Sequence, residues 1–127
     1  MNIVKIEAGG TTIAVVNGVA PVINDVQSAL DFMATVRYET DCDRIVIEKS
    51  LISESFFDLK TRLAGEILQK FINYQVQMAI VGDFSMYSSQ SLKDFIYECN
   101  NGNDIFFVST EQQAIEKLSN IKPGHFR

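Results

Sequence analysis

Two carboxylates and a spread of hydroxyls are the residues of this chain whose types and spacing could do chemistry. Glu48 closes the β-branched run Arg44-Ile45-Val46-Ile47-Glu48, and Asp83 follows a second apolar run and a glycine, Gln77-Met78-Ala79-Ile80-Val81-Gly82. If the two runs are neighbouring parallel strands, both carboxylates arrive at one sheet edge, where such a pair can move protons or hold a cation. The competing reading is structural, because Asp is well suited to ending strands and forming turns. Ser50, Ser53 and Ser55, and later Ser85, Ser88, Ser89 and Ser91, place hydroxyls around the same edge. At a helix start a serine can take a phosphate, whose charge the free amides stabilise. It can equally well cap the helix and do nothing more. The sequence Val81-Gly82-Asp83-Phe84-Ser85 has one glycine and no Lys-Ser/Thr pair, so it is no P-loop. Cys42 and Cys99 have no Cys or His at metal-ligand spacing, and the single histidine is His125. No catalytic residue, metal ligand or cofactor motif is assigned.

The elements that would carry these residues follow from periodicity. Asn2 to Glu7 and Thr11 to Asn17 read as strands, and Gly9-Gly10 between them predicts an antiparallel hairpin. Asn24, with Gln27 three residues on, has capping-box spacing. Val26, Ala29, Leu30, Met33 and Val36 then mark the inner face of a first helix. Arg44 to Lys49 is a strand too continuously apolar to be half-solvated, so it should be central and covered on both faces. A long helix is expected from about Phe56 to Asn73, burying Leu59, Leu63, Ile67 and Phe71, with Ser55 and Asp58 as its capping signature. Gln77 to Val81 is the next strand. A third helix begins near Ser88 or Ser89 and turns Leu92, Phe95, Ile96 and Cys99 inward, with Gly102 as its stop. Asp104 to Val108 is the last strand. A final helix, capped by Ser109 or Thr110, faces Ala114, Ile115 and Leu118 inward, and Pro123-Gly124 ends regular structure. The order is ββαβαβαβα: a single α/β domain over 1–127, with 120–127 as a short tail. Its five-stranded sheet is mostly parallel behind the antiparallel hairpin, with right-handed crossovers.

In an open parallel sheet, ligands bind beyond the C-terminal ends of the strands. The expected binding surface is therefore Glu48, Ser50, Ser55, Phe56, Phe57, Asp58, Lys60, Asp83, Ser85 and Tyr87. Adjacent phenylalanines on a helix diverge by about 100°. Either one of Phe56 and Phe57 is left near the surface as an anchor for a partner, or both pack, one under the helix and one against the loop. Gly65 inside the helix costs about 1 kcal/mol relative to alanine. It suggests close approach of another backbone, within the sheet packing or in a homodimer.

Composition narrows the functional class. The net charge is −5, with 11 Lys and Arg scattered among 16 acids, so neither nucleic acid nor an anionic membrane is the expected partner. No apolar run approaches the roughly 20 residues of a membrane span, and the N-terminus lacks a signal-peptide core. Two cysteines read as free thiols point to the cytoplasm.

The element order resembles that of the SpoIIAA-like fold of the STAS anti-sigma-factor antagonists, over about Met1 to Ser119. In that family a serine or threonine following an Asp, at the start of the helix after the third strand, is phosphorylated. The corresponding stretch here is Phe57-Asp58-Leu59-Lys60. Leu59 stands at the phosphorylated position, no Ser-Gly follows, and Ser55 and Thr61 are out of register. A closer resemblance is carried by FFDLKTRLAGEILQKF, QMAIVGDFSMYSSQSLKDFIYECNNGNDIFFV and EQQAIEKL. These segments are similar to a small bacterial family described as a domain of unknown function. That resemblance implies a fold and a bacterial origin, and no activity. The expected function is a small cytosolic interaction or regulatory module. The alternatives are a ligand-binding or hydrolytic domain using Glu48 and Asp83, and a phosphorylatable antagonist.

Overall fold

A computed structural model describes residues 1–121 of the chain. Strands β1 (Asn2–Ala8) and β2 (Thr11–Asn17) form the expected antiparallel hairpin. Gly9 and Gly10 turn it with φ of +58° and +79°, the left-handed pair that a two-residue hairpin loop needs. There follow α1 (Val26–Thr40), β3 (Arg44–Glu48), three short 3₁₀ turns (Lys49–Leu51, Glu54–Phe57, Leu59–Thr61), α2 (Leu63–Tyr74), β4 (Gln77–Val81), α3 (Gln90–Asn100), β5 (Ile105–Val108) and α4 (Glu111–Ser119). The sheet order is sequential, β1-β2-β3-β4-β5, and β2 through β5 are parallel. β3 is the middle strand, as its apolar run predicts.

Sequential order fixes where the helices go. Each crossover moves one strand over in the same direction, so right-handed connections put α1, α2 and α3 on one face. The packing shows this. Ala14, Val16, Ile45, Ile47, Met78, Ile80 and Phe107 meet Phe32, Met33 and Val36 of α1, Ile67 and Phe71 of α2, and Leu92 of α3. The opposite face, built of Ile13, Val15, Val46, Ala79 and Phe106, is covered by Ala114 and Leu118 of α4, with Ile121.

Several expectations are corrected. The cap of α1 is Asp25 rather than Asn24: its carboxylate accepts from Ser28 N at 2.8 Å, and Ser28 Oγ reaches back to the Asp25 amide at 3.0 Å. The long helix expected from Phe56 begins only at Leu63. Two 3₁₀ turns precede it, and Arg62, in the left-handed region at φ 65°, breaks the path. Ser55 is therefore no helix cap, and Leu59 is only partly buried. α3 is capped by Ser89, α4 by Thr110, and α3 ends with Asn101 as its cap. Gly65 is exposed, and a Cβ there would meet nothing within 4 Å among the described residues, so the close approach expected of it does not occur among them. Cys42 and Cys99 are both buried free thiols. Pro123-Gly124 and His125 lie outside the described residues.

Candidate functional site

The C-terminal ends of β3 and β4 meet a loop packed by aromatic rings. Phe56 is 0% and Phe57 4% exposed, so the reading in which one of them is a surface anchor is overturned. Both turn into the core from the short 3₁₀ turn Glu54–Phe57, with ring centroids 5.0 Å apart and edge to face. Phe57 stacks on Tyr87 at 5.3 Å and 17°, and also touches Phe84 at 5.9 Å. The loop after β4 is thereby laid onto the loop after β3.

Across this aromatic patch lies Lys49, whose side chain is only 17% exposed. Its Nζ stands 5.3 Å from the Phe57 ring centroid and 5.1 Å from that of Tyr87, and it donates to Glu54 Oε2 at 3.2 Å. The Tyr87 hydroxyl donates to Glu54 Oε1 at 2.8 Å, so both Glu54 oxygens are engaged. Gly82 makes the arrangement possible. A Cβ at that position would lie 2.6 Å from Lys49 Cβ and 3.0 Å from its Cδ, so only glycine lets the lysine stem cross the end of β4.

The ionisable groups of this cluster all titrate away from neutrality. The Tyr87 hydrogen bond, aided by Lys49 and opposed by partial burial, holds Glu54 below the usual carboxylate range. Burial pulls Lys49 down, but the nearby Tyr87 hydroxyl and Glu54 outweigh it and leave the ammonium above its ordinary value. Tyr87 is raised, chiefly by burial. Asp83 is lowered by the hydroxyl and amide of Ser85, which donate to its Oδ1 at 2.6 and 2.9 Å. That last pair is a turn in which the aspartate binds the backbone two residues on.

Of the residues expected at this edge, the fold brings Phe57 and Tyr87 together, and Asp83 to Ser85. Ser55 Oγ lies 2.8 Å from Ser53 Oγ, and Asp58 caps the following turn by accepting from Lys60 N at 3.1 Å. Glu48 and Ser50 are exposed, and Phe56 is swallowed by the core. Among the described residues no hydrogen bond joins Glu48 to Asp83. Glu48 lies opposite Val81, two residues short of the aspartate. Also among the described residues, no group of three or more His, Cys, Asp and Glu is placed to hold a metal ion. Lys49 and the loop holding Glu54 were expected at this edge, but the binding-surface residues named from the sequence did not single out these two, the polar centre of the cluster. Five residues apart in a loop, they carry no periodic signal; the sequence hint was Gly82 closing a strand, a position where a backbone is often approached closely.

Beside the cluster runs an open groove of about 340 Å³, lined by Glu54, Phe57, Asp58, Met86, Tyr87 and Ser88 among others, with Met86 68% exposed. Larger hollows lie elsewhere among the described residues. One, of about 620 Å³, follows β5 and α4. A second, of about 470 Å³, is lined by Leu59, Arg62, Gly65, Glu66, Gln69 and Phe95. A third, of about 450 Å³, lies between α1 and the end of α2, where Leu30, Met33, Tyr38 and Tyr74 line it.

The fold and site define a mixed α/β domain whose strand-end loops are fastened by an aromatic and ion-paired cluster. The chain belongs to the family described as Domain of unknown function (DUF4180), whose model matches residues 8–118. Neither a curated protein nor a solved structure matches it. No helix among the described residues is long and apolar enough to cross a membrane.

Proposed function

We propose that this domain is a small cytoplasmic interaction module that docks a protein partner at the C-terminal edge of β3 and β4. The observation that carries this reading is the hydrogen bonding of the cluster: both oxygens of Glu54 accept, from Lys49 Nζ and the Tyr87 hydroxyl, and Asp83 Oδ1 accepts from Ser85. A general acid or base works best with a pKa near the working pH. Here the two acids are held low and the lysine and tyrosine high, and each carboxylate accepts hydrogen bonds from its neighbours. Such a cluster holds two loops in fixed register and suits recognition better than proton transfer. The groove beside it offers what a docking face uses: an exposed methionine, the edge of an aromatic stack and a rim of Asp58 and Ser88. The element order and the one-sided placement of α1, α2 and α3 support a SpoIIAA-like topology, in which small regulatory domains are built. A homodimer through α2 around Gly65 remains part of the proposal, since that face is open.

The test is affinity capture from a lysate of the source cell with the wild-type chain and with Met86→Asp. Met86 is exposed, so the variant should melt within about 2 °C of wild type, as surface changes usually do. Loss of a specifically captured protein by the variant supports the reading. An identical captured set from both chains contradicts it.

A further inference from the structure

The outward face of α2 holds two features that the packing of the described residues does not explain. Gly65 lies in the first turn of the helix without a left-handed backbone, and a Cβ there would meet nothing within 4 Å. A larger residue would fit, and almost any would favour the helix more than glycine does. Ile72 is 42% exposed, whereas Leu63, Ile67 and Phe71 of the same helix are buried. Gly65 and Ile72 are seven residues apart, two turns of helix, and so share a face. One is a hole and the other a knob.

The surroundings fit these shapes. Gly65 lines the hollow of about 470 Å³ that also has Leu59 and Phe95 in its wall, both partly buried and packed on the core. The hollow is therefore open to the outside and apolar within. Gln69 lies between the hole and the knob on the same face, and Glu66 and Lys70 follow one another along one flank, a turn apart. Among the described residues the ion pairs are Arg37 with Asp43 and Lys49 with Glu54, so neither Glu66 nor Lys70 is spent in one.

We propose that α2 pairs antiparallel with α2 of a second copy of this chain, about a two-fold axis beside Gln69, with each Ile72 seated in the hollow over the partner's Gly65. This rests on the reading that the open α2 face makes a homodimer, and it goes further by fixing the register. A two-fold contact must be complementary to itself, and a hole and a knob two turns apart on one helix are so: one antiparallel register fills both holes at once. Setting Ile72 against the partner's Gly65 also sets Leu68 against the partner's Gln69 at the axis. In an antiparallel pair each flank meets the same flank of the other helix, so Glu66 comes within reach of the partner's Lys70, and Lys70 within reach of the partner's Glu66. The charges agree with a register chosen on shape alone.

The experiment is sedimentation velocity of the full chain over a wide concentration range, for wild type and Gly65→Leu, with oxidative cross-linking of Gln69→Cys and Asn73→Cys. Wild type is expected to dimerise as the concentration rises. Gly65→Leu fills the hollow and should stay monomeric at those concentrations while melting no lower than wild type, because nothing within 4 Å opposes the new side chain and leucine is the better helix former. Gln69→Cys, beside the axis, should cross-link to its own copy. Two copies of position 73 would stand about 13 Å apart along the helices, beyond the roughly 7 Å between Cα atoms that a disulfide spans, so Asn73→Cys should not. Both cysteine variants break the same Gln69–Asn73 hydrogen bond, so they differ in position alone. A wild-type chain that is monomeric throughout overturns the homodimer reading and this inference together. A wild-type dimer that Gly65→Leu retains, or in which Asn73→Cys cross-links as well as Gln69→Cys, overturns the inference and leaves the homodimer standing. The cross-linking comparison decides even if Gly65→Leu fails to fold.

Discussion

Gly82→Ala isolates the contact on which the strand-end cluster depends. The added methyl would sit 2.6 Å from Lys49 Cβ and 3.0 Å from Lys49 Cδ, far inside ordinary carbon–carbon contact. Neither side gives way easily. Gly82 N is hydrogen-bonded to Val108 O at 2.9 Å, and Lys49 opens a 3₁₀ turn closed by Ile52 N to Lys49 O at 3.0 Å. Overpacking of this kind costs about 1–3 kcal/mol. Displacing the lysine also weakens its stacking over Phe57 and Tyr87, worth about 0.5–2 kcal/mol, and its half-exposed pairing with Glu54, worth about 0–1 kcal/mol. Loss of glycine's freedom in the unfolded chain returns about 0.4–1 kcal/mol. The net expectation is a loss of about 1–5 kcal/mol, and each kcal/mol lowers the melting midpoint of a chain this size by about 3–5 °C. The assay is urea denaturation of Gly82→Ala in three backgrounds: wild type, Lys49→Ala and Lys49→Gly. Lys49→Ala retains the nearest atom, Cβ, so the penalty should largely persist there. Lys49→Gly removes Cβ, Cγ and Cδ together, the three nearest atoms, so the penalty should vanish or turn slightly favourable. An equal cost in all three backgrounds would refute the reasoning, because it would place the strain in the Gly82 backbone and not against the lysine.

Other perturbations test other links. Arg62→Gly should leave stability unchanged or raise it by up to about 1 kcal/mol, since Arg62 sits in the left-handed region that costs a side-chain-bearing residue about 1–2 kcal/mol; a loss of about 1 kcal/mol, the cost of glycine in a helix interior, would mean that the helix runs through this position. Leu63→Ala should cost about 2–5 kcal/mol and Leu59→Ala distinctly less, read as denaturation midpoints, because Leu63 is buried and Leu59 only partly so. Burial raises the Cys99 thiol from 9.0 to about 11, so the folded state holds this proton more tightly than the unfolded one. That contribution is complete below pH 9.0 and is lost as the pH rises through about 11, and Cys99→Ala should show a shallower decline over that window in pH-dependent melts. Asp25, Glu54 and Asp83 are held low, so their contribution is present above the ordinary carboxylate values and disappears as the pH falls through the lowered ones; Glu54→Gln should flatten the acid limb of the same curve.

The parts of the fold that periodicity controls were legible. β2 and β4 have the expected limits, the hairpin follows from Gly9-Gly10, and the stripe Val26 to Val36 does face the sheet. The helix beginning at Leu63 was not, for a physical reason. Leu59, Leu63, Ile67 and Phe71 keep a spacing of four across a break made by Arg62, a residue type whose chemistry gives no sign of a left-handed conformation. Phe56 and Phe57 are buried side by side from a 3₁₀ turn that precedes the helix. Asn24 and Asp25 are both good caps, and Ser28 decides for Asp25 by completing the reciprocal pair. At the site, the strand-end edge was legible from topology. The Lys49–Glu54–Tyr87 contacts were not, because they join two loops 33 residues apart through a space that one glycine leaves open.

The central claim is that the strand-end cluster is a fixed polar clasp supporting a docking face, with no group poised to move protons. Site-resolved NMR titration of the wild-type chain tests it most directly, following the carboxyl carbons of Glu54 and Asp83, the Tyr87 ring and the Lys49 Nζ. The account predicts Glu54 and Asp83 titrating below the usual carboxylate range, and Lys49 and Tyr87 above theirs. Any one of the four titrating between about pH 6 and 8, where a general acid or base works, would contradict it.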